Sequence, residues 1–317
     1  MSSAVVPPEA LPPPDLDNTL GAVSIGVLMA TALFGCSIVQ THTYSRSSKD
    51  GAFMKYLVYV LWAISALHIA MIIHGLYFYT VSNYMTPQAL ARPTWSLSAS
   101  TVIGNLGDDI VTGVFASRVW KFTGKKLPIV MTLIIAPTIV SFGSSLAITV
   151  ITLRDTFTQF THHSWLWYAA FCSRSLADIT ITISLCLMLK KRRTGMQRTD
   201  SMIRVLILYF INTCALTSAF STSCIIAIAT MPNNLVFVGL AVILPHLMVN
   251  SLLALLNSRQ AVWERNRGGS LSVHLSRLPP SLAASTEVKS AKGSINQICV
   301  ETTVTKSYDS FAAEQAI

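Results

Sequence analysis

Charge is scarce in this chain. Asp, Glu, Lys and Arg make up 12% of its 317 residues, about half the share of an average soluble domain. Hydrophobic residues make up 52%. That balance excludes an ordinary soluble enzyme and a disordered or collagen-like chain. Cysteine is scarce too. The six are Cys36, Cys172, Cys186, Cys214, Cys224 and Cys299, with no Cys-x-x-Cys pair. A disulfide scaffold and a thiolate zinc site are therefore not expected. Long polar loops are missing, so no connection has room for a separate catalytic domain. Basic residues are absent from the N-terminal tail. Without a positive leader region, the first apolar run reads as an uncleaved signal anchor rather than a secretory leader.

Apolar runs are abundant instead. A bilayer core takes about 20 mostly apolar residues in helix. Seven stretches meet that need, at roughly 20–39, 55–79, 97–120, 127–153, 165–189, 202–229 and 235–256. The third is the least apolar, because Asn105, Asp108 and Asp109 interrupt it. The expected fold is all-α, a polytopic membrane protein with a seven-helix transmembrane bundle over residues 20–256. A Pro-rich acidic tail, 1–19, precedes it. A Ser/Thr-rich basic tail, 257–317, follows and reads as mostly disordered.

The net charge of +9 reports orientation, and needs no nucleic-acid partner. Arg46, Lys49 and Lys55 follow the first span. Arg118, Lys121, Lys125 and Lys126 follow the third, and Lys190, Lys191, Arg192, Arg193 and Arg198 the fifth. The alternate loops hold only Arg92 and Arg154. Cytoplasmic loops retain Lys and Arg, so the N-terminus is expected outside and the C-terminus inside. Trp95, Trp165 and Trp167 are expected as anchors at the outer boundary, and Trp120 and Trp263 at the inner one. The basic stretch Lys190 to Arg193 is expected at the cytoplasmic headgroup layer.

Polar residues inside the spans are costly and mark functional or paired positions. His68 and His74 lie on span two, Asn105, Asp108 and Asp109 on span three, and Arg174 and Asp178 on span five. Asn212 lies on span six, and His246 and Asn250 on span seven. Thr101, Asn105, Asp108 and Thr112 share one helical face, with Asp109 about 100° round from Asp108. Arg174 and Asp178 are spaced to pair along one helix. His246, Asn250 and Asn257 form a stripe beside Pro245, which is expected to kink its helix, as Pro137 is in span four. Such stripes must face the bundle interior, so spans two, three, five and seven are expected to line it. Three aspartates face one arginine. The set balances only if a carboxylate or one of the histidines carries a proton, and a fold-specifying ion pair is the alternative reading. No metal site or cofactor is expected, since no His-x-x-x-His pair is present.

Retinal-binding, rhodopsin-like receptor and sugar-transporter patterns are absent. Span seven has no lysine, and Ser117-Arg118-Val119 and Asn250-Ser251-Leu252-Leu253-Ala254 stand where receptor motifs would be. One resemblance holds. It rests on Arg193-Thr194-Gly195-Met196-Gln197-Arg198-Thr199-Asp200-Ser201 before span six, on Leu206 to Thr213 within it, and on Val249 to Arg259. With Trp62, His68 and His74 on span two, these residues resemble a family of mushroom-type fungal integral membrane proteins of unknown function. The resemblance implies a seven-helix bundle and carries over no catalytic residue. Thr199-Asp200 is expected to precede and cap the sixth helix.

Three functions remain open: a receptor-like or sensor protein, a small-solute or proton-linked carrier, and a structural or lipid-organising protein. An enzyme is not expected. The partners expected are the lipid bilayer, a small ligand, and a cytoplasmic effector at the fifth loop and tail.

Overall fold

A computed structural model describes residues 20–48, 50–83, 92–123, 128–154, 163–191, 197–231 and 234–258. Both tails, Trp263, Arg192 and Arg193 lie outside the described residues. Among those described, the chain is helical throughout, with no strand. The helices are α1 (Ala22–Ser47), α2 (Ala52–Tyr77), α3 (Trp95–Thr123), α4 (Pro128–Arg154), α5 (Ser164–Lys191), α6 (Gln197–Thr230) and α7 (Val236–Ser258). Six of them are long and apolar enough to cross a membrane. The other, α3, has the length at 29 residues, but its polar residues lower its apolar character. Leu28, within the second turn of α1, is 70% exposed, and Ile139, near the middle of α4, is 65% exposed. Apolar side chains facing outward there are what a lipid environment accepts and water does not.

The helices pack in chain order, each against the next, and α7 returns to pack on α1. A further contact joins α3 to α5 across the ring. The first and last helices meet where Gly26 and Gly239 face each other. A Cβ on either would run into the other helix's backbone. Small residues of this kind let membrane helices approach closely where no hydrophobic force drives them together. Below that crossing, side-chain amides fasten the pair. Asn250 Nδ2 donates to the Leu33 carbonyl at 2.8 Å, Gln40 Nε2 donates to Asn250 Oδ1 at 3.3 Å, and Asn257 Nδ2 donates to the Gln40 carbonyl at 3.0 Å.

Pro245 breaks α7, as its sequence position suggests. Proline has no N–H for the carbonyl one turn back. The helix is interrupted after Ala241, and tighter bonds replace the regular ladder, Ile243 N to Leu240 O and His246 N to Ile243 O. At Pro137 the helix α4 continues without interruption. The helix α6 starts earlier than expected, at Gln197. Thr199 and Asp200 therefore lie inside its first turn and do not precede it. Asp200 still sits at the positive end of the helix.

The two halves of the bundle differ. At the end where α3, α5 and α7 finish, Tyr44, Leu61, Val111, Phe115, Val119, Ile134, Leu185, Phe210, Leu252 and Leu256 form one packed core. At the other end the core divides into two smaller clusters. One joins α1, α2 and α7 around Val27, Ile72 and Ile243, and the other joins α5, α6 and α7 around Phe171, Cys224 and Phe237. A cavity lies in that half.

Candidate functional site

The cavity has a volume of about 110 Å³, enough for several water molecules. It reaches the end of the bundle at Pro93, Thr152 and Phe237 and descends to Asp108, Arg174 and Asp178 at its floor. Its wall is mixed: small polar side chains such as Ser98 and Thr101 on α3, Ser141, Ser145 and Thr152 on α4, and Thr217 and Ser221 on α6 alternate with apolar ones such as Leu97, Ile148, Val242 and Met248, which give most of the surface an apolar character. Trp167, Phe171 and Phe237 supply an aromatic side. Trp167 stacks on Phe171 at 6.1 Å and meets Phe237 edge-on at 5.2 Å.

The floor is a four-residue charge cluster. Arg174 Nη1 donates to Asp109 Oδ1 at 3.2 Å. Its Nε lies 3.6 Å from Asp178 Oδ1, one turn along α5, and its Nη2 lies 3.9 Å from Asp108 Oδ2. Arg174, Asp108 and Asp178 are buried, whereas Asp109 is half-buried and does not line the cavity. The cluster leaves work undone. Arg174 Nη2 and Asp108 Oδ1 are buried without a hydrogen-bond partner. Unmet polar atoms at that depth are expensive, and here both belong to residues that line a cavity.

The structure also pairs two histidines. His68 Nδ1 and His246 Nε2 are 3.0 Å apart, joining α2 to α7. His246 Nδ1 has no partner. An unfilled acceptor costs less than an unpaired N–H. That favours the tautomer in which His246 Nε2–H donates to His68 Nδ1, leaving the proton of His68 on Nε2. His68 lines the cavity. Gly104 makes room for the ring, since a Cβ there would lie 3.1 Å from His68 Nε2 and 2.9 Å from Pro245 Cγ.

Of the residues singled out from sequence, Asn105, Asp108, Arg174, Asp178 and His68 meet at the cavity. Asp109 and His246 back it from outside. Three others do not join. His74 is exposed near the end of α2, its Nδ1 2.9 Å from Ser96 Oγ and its ring tilted against Trp95. Asn212 is exposed on the outer face of α6. Asn250 is fully engaged with α1 and with the His246 carbonyl, so its amide serves helix packing. Trp167 is likewise no boundary anchor, since it turns inward to the cavity, while Trp95, Trp165 and Trp120 are exposed near helix ends. Lys190 and Lys191 occupy the last turn of α5.

The walls on α4 and α6 were not anticipated. Their signal was present, since Ser141, Ser145 and Thr152 recur on one face, as do Thr217 and Ser221. Serine and threonine can bond their own helix, as Ser145 does to the Phe142 carbonyl, so their placement says little by itself. Tyr79 is a second omission. Its hydroxyl donates to the Arg92 carbonyl at 2.9 Å and accepts from Thr94 N–H at 2.8 Å, fixing the entry to α3 beside the cavity mouth. Among the described residues, no three His, Cys, Asp or Glu side chains converge as metal ligands.

No curated protein and no solved structure matches the chain. Residues 174–261, from Arg174 at the cavity floor through α7, match the family of unknown function DUF6534.

Proposed function

We propose that the protein is a seven-helix membrane receptor or sensor, with its N-terminus outside, its C-terminus in the cytoplasm, and a ligand cavity open to the outside. The reading takes α3 as the seventh span and the chain as one of the fungal proteins it resembles. The observation that carries it is the asymmetry of the interior. A cavity with a charged floor opens in one half of the bundle, and a packed apolar core occupies the other. A receptor needs access from one side only, whereas a carrier needs both.

Charge supports the orientation. Among the described residues, Arg46, Lys55, Lys121, Lys190, Lys191 and Arg204 lie at the packed end, and Arg92 and Arg154 at the cavity end. Retention of basic residues in the cytoplasm makes the cavity end the outer one. The carrier reading has one point in its favour. A smaller void, bounded by Asp178, Thr213, Cys214 and Phe210, continues inward from the floor.

Accessibility separates the two. Ser98→Cys, placed in a background without the native cysteines, is exposed to a membrane-impermeant thiol reagent in sealed vesicles of each orientation. Labelling from the outer face alone supports the receptor. Labelling from both faces supports the carrier, and labelling from neither supports a structural role.

A further inference from the structure

We propose that the cavity takes a small organic cation, seated with its ammonium group on Asp108. The proposal rests on the reading of the cavity as a ligand site and names the class of ligand.

The distribution of charge at the floor carries it. The short bond from Arg174 goes to Asp109, outside the cavity. The carboxylates on the cavity side, Asp108 and Asp178, stand 3.9 Å and 3.6 Å from the same guanidinium, too far for a strong hydrogen bond. One cation is thus shared among three carboxyl groups, so the empty set balances by holding a proton, which a bound cation would displace. Asp178 leaves no oxygen both buried and unpaired. Asp108 does: its Oδ1 is buried without a partner, on a residue only 6% exposed. A carboxylate oxygen can only accept, and an ammonium group is a compact source of donors that also brings the missing charge.

The wall agrees. Trp167, Phe171 and Phe237 border the same cavity toward its mouth and would receive the apolar body of a ligand whose ammonium lies on the floor. An anion would meet two carboxylates on the same floor. The unpaired Arg174 Nη2 lies 3.9 Å from Asp108 Oδ2. An acceptor carried close to the ammonium, such as a hydroxyl or carbonyl oxygen, would satisfy it in the same binding event.

The test uses the full-length protein in lipid nanodiscs and three probes of matched shape: 2-phenylethylamine, 2-phenylethanol and 3-phenylpropanoate. Thermal unfolding is followed against probe concentration. The amine is expected to raise Tm saturably by about 2 °C or more. It should act at about tenfold lower concentration than the alcohol, and the propanoate should have no effect. Asp108→Asn should reduce the amine to the level of the alcohol, while Asn212→Leu, outside the cavity, should leave its effect intact. If the alcohol or the propanoate stabilises as well as the amine, the cation class is overturned and the ligand site stands. If no probe stabilises, both fall. An amine response that survives Asp108→Asn overturns the seat on that residue. The three probes on the unmodified protein decide the class even if that variant does not fold.

Discussion

Arg174 on α5 spends its best hydrogen bond, 3.2 Å long, on Asp109 of α3, the carboxylate that lies outside the cavity. The bond crosses the bundle and supports the α3–α5 contact. Removing one partner of a buried ion pair costs about 3–5 kcal/mol, because the other charge is left uncompensated. Arg174→Met strands three carboxylates at once and is expected to fall in that range. Asp109→Asn should cost less, since Asp108 and Asp178 remain beside the arginine. Their double variant should destabilise by less than the sum, with a coupling of about 1–3 kcal/mol. Thermal unfolding in nanodiscs measures all three, and full additivity would show that the pair does not act as a unit.

Asn250 and Asn212 separate packing from surface. Asn250→Leu removes the amide that holds Leu33 and Gln40 of α1 and should cost about 1–2 kcal/mol. Asn212→Leu, on an exposed face of α6, should leave stability unchanged or raise it, because lipid accepts leucine better. A comparison of the two Tm values checks this, and equal effects would contradict the placement of either residue.

The Gly26–Gly239 crossing tolerates no side chain. Gly26→Val places atoms inside the backbone of α7, so the helices must separate. A loss of at least about 1–3 kcal/mol is expected, read as a lower Tm. Gly35→Val serves as the control: it lies on the same helix, and a Cβ there meets nothing within 4 Å. A Gly35 effect as large as that at Gly26 would count against the crossing.

Gly104 sets the distance from α3 to His68 and Pro245. Gly104→Ala puts a Cβ 2.9 Å from Pro245 Cγ. Because the pyrrolidine ring cannot swing aside, α3 must shift. A stability loss of about 1–3 kcal/mol is expected, together with weaker binding of any probe that occupies the cavity. A variant with wild-type Tm and unaltered probe response would show that α3 does not pass so close.

The helices were legible because lipid demands unbroken apolar runs, and the break at Pro245 followed from a missing N–H. The helix ends were less so. Gln197 already begins α6, since polar residues extend a membrane helix into the headgroup layer without an apolar signal. Within the site, charge was the reliable sign. Arg174, Asp108 and Asp178 meet because few other arrangements can bury them. Neutral amides were ambiguous. Asn105 lines the cavity, Asn250 ties two helices and Asn212 faces outward, and the spacing of each on its own helix is compatible with all three outcomes. That choice depends on how each helix is rotated against its neighbours, which a single helix does not encode.

The ring of helices closes where α1 meets α7. Gln40 and the Leu33 carbonyl therefore find their partners on the last of the described helices to be synthesised. Until α7 enters the bilayer, the first helix has α2 as its main neighbour, and the Gln40 amide lacks its Asn250 partner. Closure of the ring thus depends on the insertion of α7, and a ribosome that stops before Asn250 releases a bundle with an open seam.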